Sequence, residues 1–191
     1  NGSDPTFAFT APDDGLYQIS LNVIDSGEMV PSNATADIQV NNVAPQLTEL
    51  QGDTIQENDT ATIKATIQDP GAFDVFSVDV SWQEGASDTI TGLGLADSNG
   101  TVGSTTYKWT AASRVLELSH QYLDDGPNPG GGIPSNKYIV ELQVHDDDMG
   151  TSDMKLVVVV VNNTNPELSV PPNQALNEGQ MLSFPGSDPV D

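Results

Sequence analysis

Residues 138–166 read YIVELQVHDDDMGTSDMKLVVVVVNNTNP, and residues 17–45 read YQISLNVIDSGEMVPSNATADIQVNNVAP. The two segments align without a gap at an offset of 121 residues. Pairs at this offset include Tyr17 and Tyr138, Asp25 and Asp146, Asn42 and Asn163, Pro45 and Pro166, and Glu57 and Glu178. A copy of this length at a fixed offset indicates a structural module that the chain uses more than once.

Apolar and polar residues alternate through both copies. Tyr17, Ile19, Leu21 and Val23 are separated by Gln18, Ser20 and Asn22, which is the period of a half-buried strand. The run LVVVVV at 156–161 is too β-branched for a helix, and we expect a strand buried on both faces. Further strands are predicted at 35–40, 46–50, 60–67, 76–82, 89–95, 105–110, 114–118, 138–144 and 154–161. Gly, Pro, Asn and Asp clusters separate them, and no amphipathic helix is evident, so the sequence predicts an all-β, antiparallel sandwich.

The repeat divides the chain into one complete module and two partial ones. Residues 1–45 are interpreted as the C-terminal half of a module, 46–165 as a complete module, and 166–191 as the N-terminal part of a third. Residues 41–45 form a linker of at most about 17 Å, and Pro45 stiffens it. Because both ends of the sequence fall inside a module, we expect it to be a window on a longer tandem array.

The composition excludes several classes of function. Among 191 residues there are 28 Asp and Glu but 5 Lys and Arg, giving a net charge of −23. Phosphate backbones and anionic membranes require a basic surface, so neither is an expected partner. There is no cysteine for a disulfide or thiolate site, and no apolar run of about 18 residues that would span a membrane. Acidic, Lys-poor surfaces are found on salt-adapted proteins as well as on cation-binding ones.

Several short segments in order resemble known repeats. DPGAFD, FSVDVSWQEG, SHQYLDDG, YIVELQVHDDDMGT and VNNTNP together resemble PKD-like repeats, immunoglobulin-like β-sandwiches of bacterial-type extracellular proteins, with cadherin-like joints. The family's Trp-Gly-Asp-Gly turn reads Trp82-Gln83-Glu84-Gly85 here, which leaves Trp82 as a core residue but removes the aspartate. The resemblance implies an extracellular or cell-surface location.

Acidic and amide side chains should gather at both ends of the middle module, because loops of an immunoglobulin-like sandwich cluster at its ends. The proximal end, at the 41–45 linker, would collect Asn41, Asn42, Asp69, Asp74, Asp146, Asp147 and Asp148. The distal end would collect Glu57, Asp124, Asp125, Asn162 and Asn163, facing Asp188 and Asp191 of the third module. Crowded carboxylates at about 4 Å repel by roughly 4 kcal/mol per pair at an effective dielectric near 20, and Ca²⁺ removes that repulsion by taking oxygen ligands. The alternative is that each Asp caps a turn through its own backbone, and for Asp13, Asp14 and Asp25 taken singly this is the favoured interpretation.

Catalytic motifs are missing from the sequence. His145 is expected to be exposed on a strand and His120 to pack against Tyr122, and no triad order, zinc motif or phosphate loop is present. A sugar-stacking platform of Trp82, Trp109, Tyr107 and Tyr122 is the weaker alternative to a buried Trp82 and a partly exposed Trp109.

The sequence therefore predicts a non-enzymatic structural or adhesive segment whose joints are rigidified by Ca²⁺. Its expected partners are neighbouring modules, with other copies of the chain or a surface glycan or protein as further candidates. Two alternatives stay open: a self-assembling filament or surface-layer subunit built by strand complementation, and an accessory or glycan-binding module of a secreted hydrolase.

Overall fold

The protein is all-β in a computed structural model that describes residues 6–24, 31–83, 87–124, 133–165 and 175–181. The strands are β1 (Gly15–Ile24), β2 (Pro31–Val40), β3 (Gln46–Gln51), β4 (Thr54–Gln56), β5 (Thr60–Gln68), β6 (Phe76–Ser81), β7 (Ser87–Leu93), β8 (Ser98–Val102), β9 (Thr105–Thr110), β10 (Val115–Gln121), β11 (Ser135–His145) and β12 (Lys155–Asn162). In this described part, the one helical element is a 3₁₀ turn at Ala111–Ser113, and no helix has the length and apolar character needed to cross a bilayer.

Strands β3 to β12 build a two-layer sandwich. One sheet has the order β3-β5-β10-β9-β8 and the other the order β4-β12-β11-β6-β7. These orders contain the ABED and GFC arrangements of an immunoglobulin-like fold. All pairings are antiparallel except that of β4 with β12, which is parallel and three residues long.

The core lies between the two inner faces. Alternate residues of the strands point inward, as Val78 and Val80 on β6 and Leu116 and Leu118 on β10 do, and all four are at most 1% exposed. Trp82 is fully buried in this core and donates its Nε1–H to Thr105 Oγ1 at 2.7 Å. The period-two pattern in the sequence is thus the pattern of burial.

The valine run on β12 corrects one prediction. Val157 and Val159 are 5% and 0% exposed, but Leu156 and Val158 are 62% and 46% exposed. The expectation of a strand buried on both faces was wrong, because the sheet is covered on one side only and its outer face meets solvent.

Two short strands were not predicted from the sequence. β4 is three residues long, and β8 reads SNGTV, with a glycine and two polar residues that favour turns. Both lie at sheet edges, where pairing with one neighbour decides the conformation.

Strands β1 and β2 form a hairpin that repeats the geometry of β11 and β12. Tyr17 pairs with Ile38 and Ile19 with Ala36. Shifted by 121 residues, these are the pairs of Tyr138 with Val159 and of Val140 with Val157. The sequence repeat is therefore also a repeat of strand register.

Candidate metal centre

Four segments meet where the hairpin joins the sandwich, and we call this region the joint. They are the turn at 12–14 before β1, the linker 41–45, the β5–β6 loop at 69–75 and the β11–β12 loop at 146–150. The Ala72 N–H donates to the Pro12 carbonyl at 2.6 Å, so the turn and the sandwich are in direct contact. A cavity of about 160 Å³ lies between them and is lined by Asn41 and Asn42 among others.

Seven carboxylates in the joint form three overlapping groups. Within each group, one oxygen per residue lies within 4.8 Å of the others. The groups are Asp69, Asp74 and Asp146; Asp74, Asp147 and Asp148; and Asp13, Asp14 and Asp148. Because Asp74 and Asp148 each belong to two groups, the acids make one continuous cluster.

The β5–β6 loop is shaped around Asp74. The Gly71 N–H donates to Asp69 Oδ1 at 2.7 Å. A Cβ on Gly71 would overlap the carboxylate of Asp74, so this side chain needs the glycine beneath it. Arg114 stabilises the loop, since its guanidinium donates hydrogen bonds to the carbonyls of Asp69 and Gly71.

The β11–β12 loop is closed by Asp146. Its Oδ1 accepts N–H groups from Asp148 at 3.0 Å and Gly150 at 2.6 Å. Its Oδ2 accepts Nδ2–H of Asn42 at 2.8 Å, which ties the linker to the loop. A Cβ on Gly150 would overlap Asp146 Oδ2 and would lie 2.9 Å from Asn42 Nδ2, so the approach depends on glycine.

Asp147 connects the β11–β12 loop to the β5–β6 loop. Asp147 Oδ1 accepts the Val75 N–H at 2.8 Å. Asp148 continues the chain of acids towards Asp13 and Asp14 on the hairpin side. The cluster therefore spans the boundary between the hairpin and the sandwich.

Asp74 and Asp69 each have a buried carboxylate oxygen, Oδ2, without a hydrogen-bond partner. Asp74 is 4% exposed. Burial, a hydrogen bond that the protonated Asp74 donates to Asp69, and repulsion from Asp69 and Asp13 raise the pKa of Asp74 from 3.8 to about 7. The pKa of Asp148 is also raised, by desolvation and then by repulsion from Asp14 and its other acidic neighbours. Without a bound cation, the carboxylates of the joint therefore repel one another.

The donor set fits a hard divalent cation. The ligand atoms on offer are carboxylate and amide oxygens, and Ca²⁺ takes six to eight of these. Thiolate is excluded because the chain has no cysteine. Both histidines are engaged elsewhere: His120 stacks on Trp82, and His145 lies 3.1 Å from Asp79 Oδ2. A site for zinc or another soft metal is therefore not indicated.

The structure brings most of the proximal residues together. Asp69, Asp74, Asp146, Asp147 and Asp148 all belong to the cluster. Asn42 binds the β11–β12 loop, and Asn41 lines the adjoining cavity.

The distal residues are arranged differently. Glu57 is buried, and its Oε1 accepts the Thr164 N–H at 2.7 Å. The Asp124 carbonyl accepts the Tyr138 hydroxyl at 3.4 Å, and the backbone of Asn163 donates to the Pro134 carbonyl at 3.1 Å. Within the described residues, no acidic group able to share an ion includes Glu57 or Asp124. Asp125, Asp188 and Asp191 lie outside the described residues.

Sequence reasoning missed Asp13 and Asp14, for which a simple turn was favoured. A signal was present: Asp13-Asp14-Gly15 matches Asp124-Asp125-Gly126, which was already assigned to an inter-module cluster. Arg114 was also missed, because it lies more than 40 residues from the loop that it clamps.

The aromatic residues correct a second prediction. Trp109 was expected to be partly exposed but is 1% exposed, and Trp82 and Tyr122 are 0% exposed. A sugar-stacking platform of these rings is therefore wrong. The packing of His120 against Tyr122 is confirmed, with ring centroids 4.9 Å apart. His145 is less exposed than expected, since its side chain is 30% accessible and hydrogen-bonded to Thr151 and Asp79.

Comparison with protein-family models and with curated proteins finds no match to this chain.

Proposed function

We propose that this chain is a non-enzymatic structural segment of an extracellular multi-repeat protein, and that Ca²⁺ binding stiffens its joint. One observation carries the proposal: Asp74, whose Oδ2 is buried without a hydrogen-bond partner, belongs to two of the three acidic groups of a cluster that both halves of the joint share. Burying such a group without a partner is costly, so a buried carboxylate oxygen of this kind favours a ligand.

The same acids account for two states of the joint, one without a cation and one with Ca²⁺ bound. Without a cation, a proton on Asp74 lowers the repulsion inside the sandwich, while Asp13 and Asp14 still repel Asp148. Residues of the hairpin and of the sandwich then tend to separate about the 41–45 linker. A bound Ca²⁺ supplies positive charge that both sets of carboxylates share, and it holds the two halves together.

Calcium titration of the full chain tests this proposal. Isothermal titration calorimetry should show binding with a Kd of about 10⁻⁴ to 10⁻³ M, as is typical of extracellular modules. Solution scattering should show a narrower range of particle dimensions with Ca²⁺ than with a chelator, and the melting temperature should rise. NaCl at matched ionic strength controls for plain charge screening.

A pair of variants separates the site from the general acidity of the protein. Asp74→Asn should weaken Ca²⁺ binding strongly, since it removes a charge from two groups of the cluster. Asp37→Asn removes one exposed acid of β2 outside the cluster and should leave binding unchanged. Equal responses of the two variants, or no change in shape and melting temperature with Ca²⁺, would refute the proposal.

A further inference from the structure

Arg114, the single arginine of the sequence, is held in place by contacts of both its backbone and its side chain. Its φ of 51° turns the chain from the 3₁₀ turn into β10, and its carbonyl accepts the Ile67 N–H at 2.9 Å. Its guanidinium lies over the ring of Phe76, 5.1 Å from the centroid, and Phe76 is buried in the core. A cation over an aromatic face is attracted to the ring. The guanidinium therefore has a fixed position from which to act on the joint.

The two arms of this guanidinium hold two carbonyls of the β5–β6 loop. Nη1–H donates to the Asp69 carbonyl at 2.6 Å, and Nη2–H donates to the Gly71 carbonyl. The two acceptors lie on either side of Pro70. Because the guanidinium is a rigid planar fork, it fixes the directions of both carbonyls at once, which a lysine ammonium does not do.

One of these carbonyls connects Arg114 to the hairpin side of the joint. The Gly71 carbonyl and the Ala72 N–H belong to the same peptide group, and that N–H donates to the Pro12 carbonyl at 2.6 Å. In a planar trans peptide group the C=O and the N–H point in opposite directions, so fixing the carbonyl on Arg114 directs the N–H at the turn at 12–14. Hydrogen bonds in such a chain also polarise one another. Arg114 thus reaches the hairpin side through two hydrogen bonds in series.

The same loop carries two acids of the cluster. The Gly71 N–H donates to Asp69 Oδ1 at 2.7 Å, and the carboxylate of Asp74 lies where a Cβ of Gly71 would be. The position of Gly71 therefore sets the positions of both carboxylates. Since Arg114 holds the carbonyl of Gly71, it acts on Asp69 and Asp74 without belonging to the cluster.

We propose that Arg114 is the positioning residue of the joint. It keeps the turn at 12–14 attached to the β5–β6 loop when no cation is bound, which opposes the repulsion between the acids of the two halves. It also holds Asp69 and Asp74 in the geometry that a cation needs. The first part requires no metal, whereas the second rests on the proposed function.

Positioning by Arg114 and a simple effect of its charge predict opposite changes in Ca²⁺ affinity. A positive charge beside the site repels Ca²⁺, so its removal would strengthen binding if charge were all that mattered. Loss of positioning lets Asp69 and Asp74 move away from the other acids and weakens binding, as loss of a group that orients metal ligands does. The sign of the change therefore distinguishes the two roles.

Hydrogen exchange of the full chain in chelator tests the metal-free part. In Arg114→Gln the Ala72 N–H should exchange at least about tenfold faster than in the wild type, because its peptide group is no longer fixed. Amides within β6 and β11 report global unfolding and should not change. Lys64→Gln is the matched control, since Lys64 pairs with Glu117 at 2.6 Å outside the joint and carries the same charge. It should leave exchange at Ala72 unchanged.

Free guanidinium gives a readout that charge alone does not reproduce. Arg114→Ala removes the side chain that lies over Phe76. Guanidinium ion, far below its denaturing concentration, should restore slow exchange at Ala72, because it has the same planar set of N–H donors. Ammonium at the same concentration should not. Arg114→Lys, which keeps the charge and an aliphatic stem, gives the exchange measurement if Arg114→Gln or Arg114→Ala does not fold.

Calcium titration of the same variants tests the second part. Arg114→Gln and Arg114→Lys should both raise the Kd for Ca²⁺ by about tenfold, and Lys64→Gln should not. Tighter binding by Arg114→Gln would overturn positioning in favour of charge. Unchanged exchange at Ala72 in the Arg114 variants, or rescue by ammonium as well as by guanidinium, would overturn the attachment of the turn. If the wild type binds no Ca²⁺, the proposed function fails, while exchange at Ala72 in chelator still decides whether Arg114 holds the joint.

Discussion

Asp146 and Asp74 show that the same type of side chain has two different roles in the joint. Asp146 accepts three hydrogen bonds, two from its own loop and one from Asn42, and so serves as a structural cap. Asp74 is as deeply buried, but its Oδ2 has no partner. Asp146 explains why the loop has its shape, and Asp74 is the residue on which the proposed cation site depends most.

The raised pKa of Asp74 predicts a pH dependence that can be measured. Above pH 3.8 the unfolded chain has lost this proton, while the metal-free folded chain keeps it up to about pH 7. The contribution of Asp74 therefore makes the metal-free protein less stable as pH rises from about 4 to about 7, after which it is constant. Ca²⁺ must displace the same proton, so its affinity should rise over the approach to pH 7 and then level off.

Thermal melting in chelator at a series of pH values, for the wild type and for Asp74→Asn, isolates this group from the other acids. The difference between the two proteins should grow in favour of the variant up to about pH 7. Parallel curves across this range would show that Asp74 is not the group responsible.

At the scale of elements, the joint depends on two loops that glycines allow to close tightly. Gly71 lies under the carboxylate of Asp74, and Gly150 lies against Asp146, Asn42 and the backbone of Ala44. Both loops connect strands whose own positions are set by the core, so the spacing between the loops is not adjustable. A side chain added at either glycine has to displace a carboxylate.

Gly150→Ala should therefore loosen the linker from the β11–β12 loop. We expect a loss of about 1–3 kcal/mol in stability, since an added methyl group in a packed site has that cost, and weaker Ca²⁺ binding. Gly94→Ala is the matched control, because its Cβ would make only ordinary contacts with Val75, at 3.5 and 3.9 Å. Urea denaturation and calorimetry measure both effects. If the two alanine variants behaved alike, the close approach at Gly150 would not matter.

At the scale of the whole molecule, the cluster combines acids from the hairpin side with acids from the loops of the sandwich. Asp13 and Asp14 come from one and Asp148 from the other, and the 41–45 linker crosses between them. Coupling between the halves is therefore expected to depend on Asp13, Asp14 and Asp148.

Replacing the two acids on the hairpin side, Asp13 and Asp14, should separate Ca²⁺ binding from the stiffening of the 41–45 linker. The double variant Asp13→Asn/Asp14→Asn keeps the group of Asp69, Asp74 and Asp146, so Ca²⁺ should still bind, although more weakly. Hydrogen exchange in the 41–45 linker should no longer slow when Ca²⁺ is added. Full protection of the linker in this variant would contradict a metal that bridges the two halves.

Most strands were predictable because the burial of one sheet face leaves a pattern in the local sequence. Period-two alternation located β5, β6 and β11 to within three residues at either end, since burial of one sheet face imposes that pattern on the sequence. β4 and β8 gave no such signal, and the outer valines of β12 gave a misleading one, because their conformations depend on neighbours distant in the chain.

For this protein, the sequence alone determined the all-β class, the strand pattern and the 121-residue repeat, and it placed five of the seven clustered acids at one end of the middle module. Only the tertiary structure decided which acids meet, that Asp13 and Asp14 join them, and that Oδ2 of Asp74 is buried without a hydrogen-bond partner. The reason is physical: alternation and turn residues act over a few neighbouring positions, whereas the desolvation and repulsion that set the charge of Asp74 come from loops up to 61 residues away along the chain.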